Sequence, residues 1–131
     1  MENKEKIRLE YAINASPKLI YNRISTPSGL SEWFCDDVNI EKKCYKFLWD
    51  RSEQYAKLLQ KKENQSIRFR WVEGPDDEEE DDYYFELKVS QDELTGDVML
   101  TVTDFAEADE VEETTNLWNK QIEQLKYGLG A

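Results

Sequence analysis

The fold is decided by residues 7–34, which read IRLEYAINASPKLIYNRISTPSGLSEWF. Apolar side chains occupy every second position from Ile7 to Ile13, which is the period of a half-buried β-strand. The pair Ser16-Pro17 then predicts a helix start, because serine caps the free N–H groups and proline is tolerated in the first turn. Thr26-Pro27 repeats this signal. The stretch therefore predicts one strand followed by two short helices, the second ending near Asp36-Asp37.

Alternation returns at residue 38 and predicts six further strands, of which the one over residues 53–62 is the least regular. Turn residues separate the later segments at Asn64-Gln65, Gly74-Pro75 and Thr95-Gly96-Asp97. Because these connections are short, we expect consecutive strands to pair antiparallel as a meander. The apolar positions of the strands are Val38, Ile40, Tyr45, Phe47, Trp49, Tyr55, Leu58, Leu59, Ile67, Phe69, Trp71, Phe85, Leu87, Val89, Val98, Leu100 and Val102.

The last segment has a helical period. Its apolar stripe predicts an amphipathic helix of about five turns that covers the sheet. Asp109 and Glu112 fit a capping box at its start, and Gly128 and Gly130 mark its end. The stripe consists of Val111, Trp118, Ile122, Leu125 and Leu129.

The order of elements predicts an α+β fold with a curved antiparallel seven-stranded sheet, two short helices after the first strand and a long C-terminal helix packed on the sheet. This order resembles the helix-grip fold of the START-like (SRPBCC, Bet v 1-like) superfamily. The stretch Ile13-Asn14-Ala15-Ser16-Pro17, followed by Thr26-Pro27, Leu30 and Trp33-Phe34, is similar to the opening of its heat-shock-protein-90 ATPase activator homologue branch. The resemblance implies a single START-like domain over residues 1–131, with an apolar cavity between sheet and helix.

Charge excludes some classes of partner. The chain has 131 residues, 29 acidic against 17 basic side chains and a formal charge of −12. Such a surface repels nucleic acid, because phosphate binding needs a continuous Lys/Arg surface. No apolar run approaches the roughly 20 residues needed to span a bilayer, so we expect no membrane segment. The charged start of the chain is not that of a secretory signal, which predicts a cytoplasmic protein.

Side chains that carry chemistry are sparse. There is no histidine, which excludes Ser-His and Cys-His dyads. Cys35 and Cys44 are expected to be structural free thiols; a redox pair is the alternative and would need Cα atoms within about 7 Å. We read Asp36-Asp37 as a solvated pair rather than as catalytic carboxylates. We therefore predict no enzyme, no metal site and no cofactor.

Seven consecutive carboxylates occupy residues 76–82. They lack the spacing and the turn glycine of a calcium loop. Because neighbouring carboxylates repel one another, we expect an extended, mobile hairpin tip, and a basic protein partner is the alternative.

The functional hypotheses rest on the resemblance and on the four tryptophans, whose elements form the walls of the cavity that the resemblance implies. The leading hypothesis is non-enzymatic binding of a small apolar or aromatic molecule by a monomer or homodimer. The rival is a co-chaperone-like interaction module with a side-chain-filled interior, and a cyclase-like or hydrolytic enzyme is third. An open apolar cavity of about 300 Å³ or more would favour the first. The predicted cavity residues are Trp33, Phe34, Phe47, Trp49, Trp71, Phe85, Leu100, Trp118 and Ile122.

Overall fold

The structure is a computed structural model that describes residues 4–78 and 82–131. The strands are β1 (Glu5–Ala12), β2 (Asp37–Glu41), β3 (Cys44–Trp49), β4 (Ser52–Lys62), β5 (Ser66–Val72), β6 (Phe85–Gln91) and β7 (Val98–Ala106). The helices are α1 (Pro17–Ser25), α2 (Pro27–Leu30) and α3 (Val111–Leu129), with a 3-10 turn over Ala108–Glu110.

The seven strands of the described residues form one antiparallel sheet in the order β1-β7-β6-β5-β4-β3-β2. The predicted meander from β2 to β7 and the α+β element order are confirmed. The irregular pattern of residues 53–62 has a physical cause, because a bulge between Leu58 and Gln60 shifts the register of β4 against β5.

The two proline-started helices are confirmed, each with the cap that the sequence predicts. The Leu19 N–H donates to Ser16 Oγ at 3.2 Å, and the Gly29 N–H donates to Thr26 Oγ1 at 2.9 Å. A Cβ at position 29 would lie 2.3 Å from the Asn22 carbonyl oxygen, so only glycine lets α2 pack this closely on α1. The second helix is shorter than expected and ends at Leu30, after which the chain turns.

The predicted capping box of the long helix is wrong. Asp109 lies within the 3-10 turn, so its side chain is not at the N-cap position. Glu110 holds that position and makes no side-chain cap hydrogen bond. At the other end α3 runs through Gly128 and stops at Gly130, whose φ of 71° is the left-handed conformation that favours glycine.

The core lies between the inner face of the sheet and the three helices. α3 contributes Trp118, Ile122 and Leu125, which are all buried. Most of the interior is filled by close-packed rings and aliphatic side chains, which stabilise the fold through burial and aromatic edge and stacking contacts. The fully buried members include Phe47, Phe69, Phe85, Ile20, Ile24, Leu87, Leu100 and Val102.

Candidate functional site

An open cleft of about 540 Å³ separates the first half of α3 from one end of the sheet. Alternate strands of an antiparallel sheet run in the same direction, so the carboxyl ends of β3, β5 and β7 lie at this end. Each contributes a side chain to the cleft, namely Trp49, Trp71 and Asp104. The full lining is Lys4, Phe34, Trp49, Gln54, Trp71, Asp104, Phe105, Ala106, Glu107, Glu110, Thr114, Leu117, Trp118 and Gln121.

Aromatic rings form one wall of the cleft, and Phe34 connects them. Its ring lies 5.8 Å from that of Trp49 and 5.9 Å from that of Trp118, measured between centroids. The Phe34 carbonyl oxygen accepts hydrogen bonds from the Trp49 indole N–H at 3.0 Å and the Gln121 amide at 3.4 Å. The turn after α2 therefore positions side chains from β3 and α3 around one residue.

Trp71 is the aromatic side chain of this wall that is most open to solvent. One face stacks on Phe85, with ring centroids 4.8 Å apart, and the edge of Phe47 contacts it at 5.7 Å. The residue is nevertheless 39% exposed. Trp71 therefore presents part of its indole surface to the cleft while the rest packs against Phe85 and Phe47.

A carboxyl group lies within this aromatic wall. The Trp118 indole N–H donates to Asp104 Oδ2 at 2.8 Å, and the Phe105 N–H donates to Asp104 Oδ1 at 2.7 Å. Burial raises the pKa of Asp104 above its ordinary value, while the indole, the Phe105 N–H and the charge of Lys4 lower it in part. The cleft thus combines aromatic faces with a partly desolvated acid.

Asp104 was missed from the sequence, although a signal for it existed. β7 alternates, and Leu100 and Val102 face the core while Asp104 follows them at the next inward position. A charged residue at an inward-facing position of a strand usually has a specific partner or a function, because burying an unpaired charge is unfavourable.

The structure brings four of the nine predicted cavity residues to the cleft: Phe34, Trp49, Trp71 and Trp118. The other five lie in the packed interior beside or beneath it. Trp33 is buried, and its indole N–H donates to the Arg23 carbonyl oxygen at 2.8 Å. The remaining four buried residues are Phe47, Phe85, Leu100 and Ile122.

Both cysteines are free and buried. Burial, together with the charges of Asp36 and Asp37, raises the pKa of the Cys35 thiol to about 12, so this thiol is protonated at neutral pH. Within residues 4–78 and 82–131, no cluster of three or more potential ligand side chains is placed to hold a metal ion. In the same part of the chain, no helix combines the length and hydrophobicity needed to cross a membrane.

The acidic run begins with ordered contacts. Asp76 forms an ion pair with Lys42 at 3.1 Å, and the Asp77 carboxylate accepts the Glu73 N–H at 2.8 Å. Lys57 donates to the Asp77 carbonyl oxygen at 3.2 Å. The first two residues of the run therefore contact the β2–β3 turn, β4 and the residue that follows β5. The expectation of an extended, mobile tip covers the whole run, residues 76–82, and its middle part, residues 79–81, lies outside the described residues.

Comparison with known proteins identifies relatives over nearly the whole chain. The family model described as "START-like superfamily domain" matches residues 1–131. A Bacteroides fragilis protein, BfR322, whose structure was solved by NMR, is 41% identical over 98% of this chain and 93% of its own, with a TM-score of 0.66. No protein among the curated ones matches this sequence.

Two more distant structures share the fold. The Aha1 dimer from Colwellia psychrerythraea is 20% identical, with 93% of each chain covered and a TM-score of 0.76. The protein SSP2350 from Staphylococcus saprophyticus is 13% identical over 96% of this chain and 92% of its own, with a TM-score of 0.73.

Proposed function

Because the chain belongs to the START-like superfamily, we propose that it binds a small apolar or aromatic molecule in the cleft between its sheet and α3, without converting it chemically. The cleft lies between the sheet and α3, the region in which the resemblance to this superfamily implies a ligand cavity, and this supports the proposal. Its volume of about 540 Å³ falls in the range of small-molecule sites.

The observation that carries this proposal is the uncovered indole of Trp71. Leaving a large aromatic surface in water forfeits about 25 cal/mol for each Å² that could be buried. A flat aromatic ligand could stack in the cleft beside Trp71, Trp49 and Trp118 and bury this surface. The polar groups of the rim, including Gln54 and Gln121, would fix its orientation.

Titration with PRODAN, a neutral naphthalene dye, tests the proposal. We expect saturable uptake with a blue shift of the dye emission. The affinity should be nearly unchanged at high salt, because apolar burial is little affected by ionic screening. Folded protein that gives no saturable signal would refute the proposal.

A matched pair of variants places the dye in the cleft. Gln121 lines the cleft and Gln124, three residues later on α3, is exposed outside it. We expect Gln121→Trp to fill the cleft and weaken dye binding at least about tenfold, a loss that corresponds to about 1.4 kcal/mol. Gln124→Trp adds the same bulk elsewhere and should bind the dye as the wild type does.

A protein-interaction module is the second candidate, and the filled interior favours it. The outer side of α3 carries carboxylates at Glu112 and Glu113 beside Leu117, which is 57% exposed. Such a surface suits a basic partner or a second copy with a basic patch. The binding of such a basic partner would weaken steeply as the salt concentration rises, whereas the dye affinity of the cleft would stay nearly unchanged. The salt dependence of binding therefore separates the two candidates.

An enzyme is the third candidate, and Asp104 is the group on which it would depend. A carboxyl group with a raised pKa can act as a general acid or base. The enzyme hypothesis would gain support if a cleft-bound molecule were converted by the wild type and not by Asp104→Asn.

A further inference from the structure

We propose that the cleft selects organic cations, meaning amines or quaternary ammonium groups attached to an apolar or aromatic body. The inference rests on the proposed function, since it names the ligand class of the same cleft. It follows from two features found together there, the uncovered indole of Trp71 and the carboxylate of Asp104, whose oxygens each accept one hydrogen bond.

The aromatic faces supply the first part of the argument. An aromatic ring carries partial negative charge on its face, and tryptophan attracts a cation more strongly than tyrosine or phenylalanine does. Three of the four tryptophans in the chain, Trp49, Trp71 and Trp118, line this one cleft. Of these, Trp71 leaves indole surface open to the cleft, being 39% exposed, whereas Trp118 is buried with its ring stacked on Phe34. A cation in the cleft would therefore contact the Trp71 indole.

Asp104 supplies the second part. Its carboxylate accepts one hydrogen bond on each oxygen, from the Trp118 indole and from the Phe105 N–H. A carboxylate has about four acceptor positions, so each oxygen keeps capacity for a ligand N–H or for attraction to a quaternary nitrogen. Burial disfavours its ionised form, as its raised pKa indicates, and a cation in the cleft would offset that cost.

The charged rim supports the same class of ligand. Among the described residues that line the cleft, Glu110 adds a second carboxylate to that of Asp104, and Lys4 contributes an ammonium group. The Lys4 Nζ lies 5.1 Å from the centre of the Tyr83 ring, a contact that holds this cation at the edge of the cleft. Lys4 also lowers the pKa of Asp104 by its charge, because a positive charge stabilises the ionised carboxylate.

Calorimetric titration with three probes on one skeleton tests the inference: naphthylmethyl-trimethylammonium, naphthylmethanol and naphthylacetate. We expect the cation to bind about tenfold more tightly than the neutral alcohol, from the cation–π and charge attraction combined, and the anion to bind most weakly. Equal or tighter binding of the alcohol would overturn the inference and leave the proposed function standing. If none of the three probes binds, both fail.

Variants assign the selectivity to the cleft. Asp104→Asn keeps an oxygen that can accept the Trp118 indole, and it should cut the cation-to-alcohol affinity ratio at least about threefold. Glu110→Gln, at the rim, should reduce the ratio less. Glu123→Gln removes the same charge from an exposed position of α3 outside the cleft and should leave the ratio unchanged. A ratio equally reduced by all three would show a general charge effect and overturn the assignment to the cleft.

Discussion

At the scale of single residues, Asp104 and Trp118 connect the packing of the core to the chemistry of the cleft. Trp118 is buried against Phe34 and Phe85, while its indole N–H donates to the Asp104 carboxylate. The sequence predicted Trp118 as a core and cavity residue from the helical stripe. It did not reveal the bond to Asp104, because the two residues are joined only by the docking of α3 on β7.

The first prediction concerns the pH dependence of stability at Asp104. Its pKa is raised from an ordinary 3.8 by burial, so the ionised carboxyl is less favourable in the folded protein than in the unfolded chain. The stabilisation by the protonated group is therefore present below pH 3.8 and lost as the pH rises through the folded-state pKa. The Asn side chain does not titrate, so Asp104→Asn keeps its stability over this pH range while the wild type loses some. We therefore expect the unfolding free energy of the variant, relative to that of the wild type, to increase as the pH rises from 3.8 through the folded-state pKa, measured by urea titrations.

Asp92 provides a control of opposite sign. The backbone N–H groups of Leu94 and Thr95 lower the pKa of Asp92 below its ordinary 3.8. Its contribution is present above pH 3.8 and disappears as the pH falls through the lowered pKa. Asp92→Asn should thus be destabilising at neutral pH and less so in acid. If both variants showed the same pH trend, the environment assigned to Asp104 would be wrong.

The second prediction concerns the size of the Trp118 side chain. Trp118→Ala should lower the unfolding free energy by about 3–5 kcal/mol, the range for truncating a large buried aromatic residue. Trp118→Phe keeps a ring between Phe34 and Phe85 and loses only the indole donor, so its cost should be smaller. Denaturant midpoints measure both, and a loss under about 1 kcal/mol for the alanine variant would contradict the burial of Trp118.

At the scale of elements, the sequence predicted correctly the helix starts and the strand and helix periodicities, which depend on residues close together in the chain. The Ser16 and Thr26 caps, the β1 alternation and the α3 stripe all lie within one element, and each is found in the structure. The predictions that failed concern positions whose conformation depends on neighbouring segments of the chain. Asp109 belongs to the 3-10 turn and is therefore not at the N-cap of α3. The bulge in β4 interrupts the alternation of apolar and polar residues along that strand.

The third prediction concerns α3 as a whole. Ending the chain before Val111 removes three large buried side chains. The burial of each one stabilises the fold by about 1.5–3 kcal/mol. Their sum approaches the usual stability of a domain, which is about 5–15 kcal/mol. We expect the truncated chain to lose its cooperative thermal transition in circular dichroism. A chain ending at Leu129 loses only the C-cap of α3 and should keep a cooperative transition. A cooperative melt of the shorter chain near the wild-type midpoint would refute the role of α3.

At the scale of the whole molecule, the sequence predicted a cavity between sheet and helix but not its extent. Four of the nine predicted residues reach the cleft, and five lie in the filled interior. Alternation assigns an inward side chain to one face of a strand and does not say how far along the sheet the helix covers it. The open part is the end of the sheet where β3, β5 and β7 finish, a juxtaposition that only the topology reveals.

The position of the four tryptophans allows one measurement to test the central claim, that a ligand occupies this cleft. Each indole N–H gives its own signal in a nitrogen–proton correlation NMR spectrum, and PRODAN can be titrated into the labelled wild-type protein. We predict that the signals of Trp49, Trp71 and Trp118 shift together and saturate, while that of Trp33, bonded to the Arg23 carbonyl oxygen outside the cleft, stays in place. A titration that leaves the three cleft signals unchanged, or moves Trp33 as much as them, would contradict the account.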